Sequence, residues 1–341
     1  MIAVSFLTGS ADPWRIVVLP PLIFAPIYRR YIWGGRGFAT ALGRELPPGD
    51  DYAESWELVD RGADQSVVAA GPLAGSSLGG LVRDRGPELL GRHAPRAAFP
   101  LLFKFLDARR DLSVQVHPDD ARAARLEQPD LGKTEAWYVV AADPGSRIYA
   151  GLRPGVGRDE LAAAIRAGRC DEVLHSFVAR AGDCAFIPAG TVHAIGAGLT
   201  VAEIQQSSDV TYRLFDWNRV GPDGKPRPLH VEAGVEAATR SGPVNPVAPA
   251  ATADPAARRL VTCDYFLFDE VRPRGSWEVG GDDNCHFLTV LAGTARLDDR
   301  WGLRPLGVGD CVLVPASAGP QRIEARAPAG GECTLLHVSL P

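Results

Sequence analysis

The spacing Gly182-x5-Pro188-x-Gly190-x2-His193 makes a tight turn into an apolar strand, then a second turn, and then presents an imidazole. Upstream, Ser113-Val114-Gln115-Val116-His117 alternates polar and apolar residues. In an extended chain Ser113, Gln115 and His117 therefore share one face, and polar groups turned inward make a site rather than a core. The same parity puts Lys133, Glu135 and Trp137 on a common face of Lys133-Thr134-Glu135-Ala136-Trp137. Two imidazoles, a carboxylate and an amide are thus candidate ligands. Imidazole with carboxylate suits zinc and several other divalent first-row metals, and a free coordination position would make the site catalytic. The amide oxygen of Gln115 is uncommon on zinc, so its chemistry alone leaves Gln115 as a neighbour of the ligands or a substrate contact.

Elements able to position these groups are mostly strands. Short apolar or alternating runs such as RIYAGL, DCAFIPAG, HFLTVLAGTARL and DCVLVPAS lie between Gly, Pro and Asp, as in a strand-rich barrel or sandwich. Helices are expected only over DDARAARLEQ after Pro118 and over RDELAAAIRAG, with Asp159 and Glu160 at its start and Gly168 at its stop. The Pro- and Ala-rich stretch 241–258 has no hydrophobic period and reads as a linker between domains. A weak internal repeat agrees: Gly182-Asp183-Cys184-Ala185-Phe186-Ile187-Pro188-Ala189 is echoed by Gly309-Asp310-Cys311-Val312-Leu313-Val314-Pro315-Ala316. The first copy goes on to His193 whereas the second goes on through Ser317-Ala318-Gly319-Pro320, so the second module is expected to be structural. The segment ending in His193 resembles the second cupin motif, whose histidine ligates a metal inside a jelly-roll barrel; Ala197 stands where that motif has Asn.

Bulk properties narrow the partners. A net charge of −5 gives no broad basic field, which argues against nucleic acid or an anionic membrane as partner, and leaves any anionic substrate to a few local cations. Only Lys104, Lys133 and Lys225 among the 36 basic residues are lysine, and two of them flank the candidate ligands. The six cysteines show no CxxC pairing, and the simplest setting for them is a reducing cytoplasm. The N-terminal apolar stretch has no basic leader region and is interrupted by Asp12, Arg15 and a Pro pair, so neither a signal peptide nor a membrane span is expected there.

Five segments, Ile32-Trp33-Gly34-Gly35, Glu54-Ser55-Trp56-Glu57, Leu101–Asp107, Gln115–Asp120 and Gly132–Glu135, follow in order and are joined by Ala189–Ile195 and Glu203–Trp217. Together they resemble the type I mannose-6-phosphate isomerase family over about residues 20 to 235. The resemblance implies a mostly β fold of two cupin barrels with a few short helices, in the compact bacterial form that lacks a large helical insertion. Residues 19–240 would be the metal-binding catalytic domain and 259–341 a second cupin without metal. Residues 1–18 precede the usual family start and read as an extension, either disordered or a product of start-codon choice. The resemblance further implies one zinc ion per chain, with other divalent metals as alternatives, on Gln115, His117, Glu135 and His193. It points to Lys104, Ser113, Lys133, Glu203 and Arg213 as active-site positions.

Interconverting mannose 6-phosphate and fructose 6-phosphate requires ring opening and proton transfer between adjacent carbons through a cis-enediolate. Lys104 and Lys133, with the Ser113 hydroxyl, are the expected phosphate contacts, and Arg213 offers a cationic fork to an enediolate or phosphate oxygen. Glu203 is the first choice for the proton shuttle, on the expectation that burial tunes it toward neutral pH, with Lys133 and a metal-bound water as rivals. A sugar-phosphate partner and a monomer or homodimer complete the reading. Two other activities compete. A cupin oxygenase is disfavoured because such enzymes usually present His-x-His where this chain has Gln115-x-His117; a non-catalytic sugar-phosphate-binding cupin would keep the pocket without turnover.

Overall fold

The computed structural model describes residues 18–220 and 224–341, so nearly all of the N-terminal extension lies outside the described residues. The chain is mostly β and cupin-type, built as two sandwiches. In the first, a six-stranded antiparallel sheet runs in the order Cys184–Ile187, Glu135–Ala142, Leu199–Gln206, Leu101–Ala108, Tyr52–Leu58 and Ile27–Gly35. It faces a five-stranded sheet ordered Leu174–Val178, Arg147–Leu152, His193–Ile195, Val114–Val116 and Tyr212–Phe215. The second sandwich has six strands, Ala250–Ala251, Ala257–Thr262, Leu267–Val271, Thr334–Ser339, His286–Ala292 and Cys311–Val314, against three, Ser276–Val279, Gln321–Arg326 and Thr294–Arg296.

Leu101–Ala108 and Leu199–Gln206 are buried at every residue because the six-stranded sheet is covered on both faces. One face lines the barrel. The other packs on the second sandwich: Phe103, Phe105, Phe268, Phe287 and Leu313 belong to one continuous core, and the Phe103 and Phe287 rings lie 4.8 Å apart. Polar ties reinforce this contact. Arg44 donates to Ser55, Glu57 and the Gly309 carbonyl at 2.6–2.7 Å, and the Tyr138 hydroxyl donates to buried Glu270 at 2.7 Å. Because Phe103 is wholly buried where the two cores meet, Phe103→Ala is expected to cost about 3–5 kcal/mol. Chemical denaturation should show the loss, and a change below about 1 kcal/mol would mean that the two sandwiches do not share a core.

Residues 241–258 are not a free linker. Val244 N–H bonds Ala150 O, Val247 N–H bonds Cys184 O, and Ala250–Ala251 forms an edge strand on Ala257–Thr262. The stretch lacks a hydrophobic period because backbone groups, rather than a buried face, hold it.

Of the two expected helices, Arg158–Arg166 forms, with Glu160 accepting from the Gly157 N–H. The other shrinks to Asp120–Ala123. Beyond it the chain turns back, Asp130 N–H bonding Ala123 O and Gly132 N–H bonding the Asp120 carboxylate, which also accepts from Gln206 and Tyr265. Sequence reasoning missed the helix Leu78–Leu90, which contains Gly79, Gly80, Gly86 and Pro87 and breaks step at Arg85. Its propensity is poor, and burial of Leu78, Leu81, Val82, Leu89 and Leu90 overrides it. No helix among the described residues is long and apolar enough to cross a membrane.

Candidate metal centre and active site

Two facing rows of side chains build the site. On the five-stranded sheet, strand pairing places His193 beside Gln115 and Gln115 beside Arg213. On the six-stranded sheet, Trp137, Glu203 and Lys104 are successive cross-strand neighbours, with Glu135 two residues before Trp137 on its strand. The alternation read from the sequence thus sends these groups to the barrel interior. Gly190 makes the approach to His193 possible. Its φ is +86°, and a Cβ there would meet Thr239 Oγ1 at 2.0 Å, so only glycine fits the turn.

His117, Glu135 and His193 converge, each offering a ligand atom within 4.8 Å of the others, and all three are buried. Their hydrogen bonds define what they offer. His117 Nδ1 is 2.9 Å from the Val210 carbonyl and His193 Nδ1 is 2.9 Å from the Thr191 carbonyl. A carbonyl only accepts, so each Nδ1 carries the proton and each Nε2 presents a lone pair. Those lone pairs face the Glu135 carboxylate at 3.5 and 3.4 Å. Two neutral imidazole lone pairs and a carboxylate turned on one point, with the Lys133 ammonium against one side of the cluster, are a donor set that fits a divalent metal. The carbonyl partners also fix both ring orientations in advance. Gln115 lines the same cleft; its amide nitrogen donates to Ser113 Oγ at 3.1 Å, which leaves its oxygen as the atom to offer.

The lysines are engaged differently from the sequence expectation. Lys104 Nζ lies 3.2 Å from Glu203 and 3.6 Å from Glu54. Lys133 Nζ lies 2.6 Å from Glu135, 3.6 Å from Glu203 and 3.1 Å from His117 Nε2. Two ammoniums therefore stand among three carboxylates, and neither is a free cation awaiting phosphate. Burial works against the Lys104 charge, but Glu203 and Glu54 outweigh it and raise its pKa.

Burial, then Lys133, hold His193 down at about 4 and His117 well below the usual imidazole value, so both stay neutral and ligand-ready at pH 7. Burial and then the neighbouring Glu203 push Glu135 up to about 7, a crowding that a bound cation would relieve. Glu203 goes the other way. Burial alone would raise it, but Lys104 and Lys133 facing it pull it below the ordinary carboxylate value. The expectation that Glu203 sits near neutrality is corrected accordingly: paired cations dominate its burial. Trp137 Nε1 donates to Glu203 Oε2 at 3.0 Å, so Oε1 is the oxygen turned to the lysines.

All nine residues expected at the site gather here, eight on the wall of one cleft of about 250 Å³ and His117 within the ligand cluster behind it. The wall also includes Tyr31, Trp33, Glu54, Asp209, Thr211 and Arg227, none of which was assigned a role from sequence. Glu54 lies in one of the segments that carry the family resemblance; Arg227 carried no local signal.

The second sandwich repeats the register with different chemistry. Glu135 pairs with Ile187 just before Pro188, and His286 pairs with Val314 just before Pro315. Glu203 pairs across to Lys104, and His337 in the matching place pairs across to Asp269. There His286 and His337 bond each other at 2.9 Å, with Asp282 at 2.8 Å and Asp269 at 3.4 Å on their outer nitrogens. One of the two facing nitrogens donates to the other, so the pair is bonded to itself instead of converging on a vacant point.

Two imidazoles and a carboxylate poised for a divalent ion inside a cupin barrel, beside a lattice of lysines and glutamates, define a metal-dependent cupin enzyme for a small polar substrate. Residues 22–136 match the model of the phosphomannose isomerase type I catalytic domain. The mannose-6-phosphate isomerase ManA of Bacillus subtilis is 34% identical over 93% of this chain and 99% of its own, and that of Streptococcus mutans is 35% identical over 86% and 92%. The crystal structure of the mannose 6-phosphate isomerase from Bacillus subtilis superposes with a TM-score of 0.84, at 30% identity, over 94% of this chain and 99% of that one. This chain belongs to the type I mannose-6-phosphate isomerase family and is an aldose–ketose isomerase interconverting mannose 6-phosphate and fructose 6-phosphate. Of the three activities weighed on sequence, isomerisation is the one its relatives carry.

Proposed function

We propose that this cleft is the working site of the isomerase. Gln115, His117, Glu135 and His193 hold one divalent ion, zinc first among the candidates; Lys104, Ser113, Lys133 and Arg213 orient the sugar phosphate; Glu203 moves the proton. The observation that carries this reading is the convergence of two fixed imidazole lone pairs on a buried carboxylate. When bound, the ion would polarise the sugar oxygens and offset the charge of the enediolate.

The chain's own residues account for the rest. Glu203 is ionised at neutral pH, so its Oε1 can take the proton from C2 of the open-chain aldose and return it to C1, while the hydroxyl proton passes from O2 to O1. Trp137 holds the other oxygen still, and Lys104 and Lys133 supply positive charge beside the developing enediolate. That assistance lowers the basicity of Glu203, so the same contacts that steady the intermediate weaken the base.

As part of the same proposal, residues 19–240 form the catalytic barrel, 241–258 the connection and 259–341 a barrel without metal, supported by the self-satisfied His286–His337 pair. Six unpaired cysteines support a reducing cytoplasm, and the net charge of −5 supports a sugar phosphate as partner in preference to nucleic acid, for a monomer or homodimer.

Dialysis against a chelator is expected to remove the ion and with it at least 99% of mannose 6-phosphate turnover, roughly the scale of a lost electrostatic catalyst. Adding back zinc, manganese, cobalt or magnesium one at a time should restore it, the most effective ion naming the metal. Metal-free protein turning over at the untreated rate would end the proposal.

A further inference from the structure

The segments that carry the ligands are tied together just outside the cleft, and one tie comes from the other sandwich. The His117 carbonyl accepts from the Gly190 N–H at 2.8 Å, and the Lys133 N–H donates to the Pro118 carbonyl at 3.1 Å. Gly132 lies so close to the 119–120 backbone that a Cβ there would meet Asp120 N at 2.5 Å. The Asp120 carboxylate closes this arrangement. Its Oδ1 accepts from the Gly132 N–H at 2.8 Å and from Gln206 Nε2 at 2.9 Å, while Gln206 Oε1 accepts from the Thr134 N–H at 2.9 Å. Gln206 ends the strand that bears Glu203, so Asp120 joins the segments of His117, Glu135 and Glu203 at one point. Its other oxygen, Oδ2, accepts from the Tyr265 hydroxyl at 2.6 Å. Tyr265 lies on the turn between strands Ala257–Thr262 and Leu267–Val271 of the second sandwich, and Phe266 beside it is wholly buried in the shared core. The Cys263 N–H bonds the Phe266 carbonyl at 3.2 Å and tightens that turn, so the hydroxyl is presented from a fixed support.

We propose that the second sandwich serves the reaction through Tyr265, a positioning residue whose hydroxyl holds Asp120 and, through it, the loop carrying His117 and Lys133. This rests on the reading of the cleft as the metal and substrate site. A hydroxyl–carboxylate bond is charge-assisted and roughly twice as strong as a neutral one. Asp120 is only partly buried, so without that bond Oδ2 would turn to water and Oδ1 would leave the two donors it serves. The N–H of buried Gly132 would then lose its acceptor, a cost that loosening of the loop relieves. Groups that orient ligands from behind decide how firmly a metal is held. Tyr265 does this from a different sandwich, which gives the second barrel a part in the chemistry without any ligand of its own.

In zinc-loaded enzyme, Tyr265→Phe should release the ion to excess EDTA about five- to tenfold faster and lower kcat by a similar factor, with KM for mannose 6-phosphate within about twofold, as the loss of one orienting hydrogen bond requires. Hydrogen exchange should quicken in peptides covering 118–134 and stay unchanged in those covering His286–Ala292. Asp120→Ala should do more harm than Tyr265→Phe. Asp120→Asn, which keeps an oxygen for Gly132 and Gln206 and offers an N–H to the Tyr265 oxygen, should recover part of that loss. Adding Tyr265→Phe to Asp120→Ala should change zinc release and kcat by less than about twofold, because the hydroxyl acts only through the carboxylate. Native zinc release and kcat in Tyr265→Phe, whatever its melting temperature, would overturn the proposal and leave the bond as a tie between sandwiches. Losses that multiply in the double variant would overturn it as well. Zinc and turnover retained in His193→Ala would instead overturn the reading of the cleft itself.

Discussion

Replacing His193 with alanine is expected to strip the protein of its metal and reduce kcat/KM by at least about a thousandfold, the scale on which electrostatic stabilisation operates in such sites. The imidazole is buried, its Nδ1–H is committed to the Thr191 carbonyl, and its ring sits against His117 at 4.7 Å and Trp137 at 5.3 Å. Nothing beside it can take over. Gln115, its neighbour across the strands, offers at best an amide oxygen, and Lys133 offers a positive charge that competes with a cation instead of binding one. Removing the ring should cost the fold only about 1–3 kcal/mol, because the neighbouring strands keep their backbone pairing. Metal analysis of the purified variant together with a coupled isomerase assay tests this directly. A variant that keeps one ion per chain and more than a tenth of its activity would show that the ion is held elsewhere.

Glu203→Gln should separate chemistry from binding. Glutamine keeps the shape and can still accept from Trp137 Nε1, but it cannot carry a proton, so kcat is expected to fall about 10²–10⁴-fold with metal content unchanged. KM should move by only a few-fold, because the glutamine side chain keeps the shape of the cleft wall. The substitution also leaves Lys104 with Glu54 as its nearest anion, so part of the loss reflects the altered charge lattice. Solvent deuterium exchange at the substrate carbons distinguishes the two: a lost shuttle slows exchange and isomerisation together. If exchange persists near the native rate, Lys133 becomes the carrier, and Lys133→Met is the variant that should abolish it.

Much of the site was legible because strand periodicity converts sequence parity into direction. Ser113, Gln115 and His117, and again Lys133, Glu135 and Trp137, could be placed on inward faces before any tertiary contact was known. Turn chemistry was equally readable: Gly190 before His193 marks a backbone angle that other residues resist. The repeated Gly-Asp-Cys segment disclosed two modules, and the absence of a histidine after the second copy led to the expectation that their roles differ. What parity could not convey is which charges meet. Lys104 and Lys133 read as phosphate contacts with no sign of the glutamates that pair with them, and Glu203 read as a carboxylate tuned upward by burial, whereas those lysines pull it down.

The chain by itself therefore determined the β framework, the ligand types and the faces they occupy, since these follow from local geometry that every strand and turn imposes. Tertiary structure alone decided the charge balance along the cleft, the commitment of each imidazole Nδ1 to a carbonyl, the shortening of the helix at Asp120–Ala123, and the arrival of Arg227 beside Arg213. Electrostatic energy depends on distances between residues far apart in sequence, and those distances exist only once the sheets have packed.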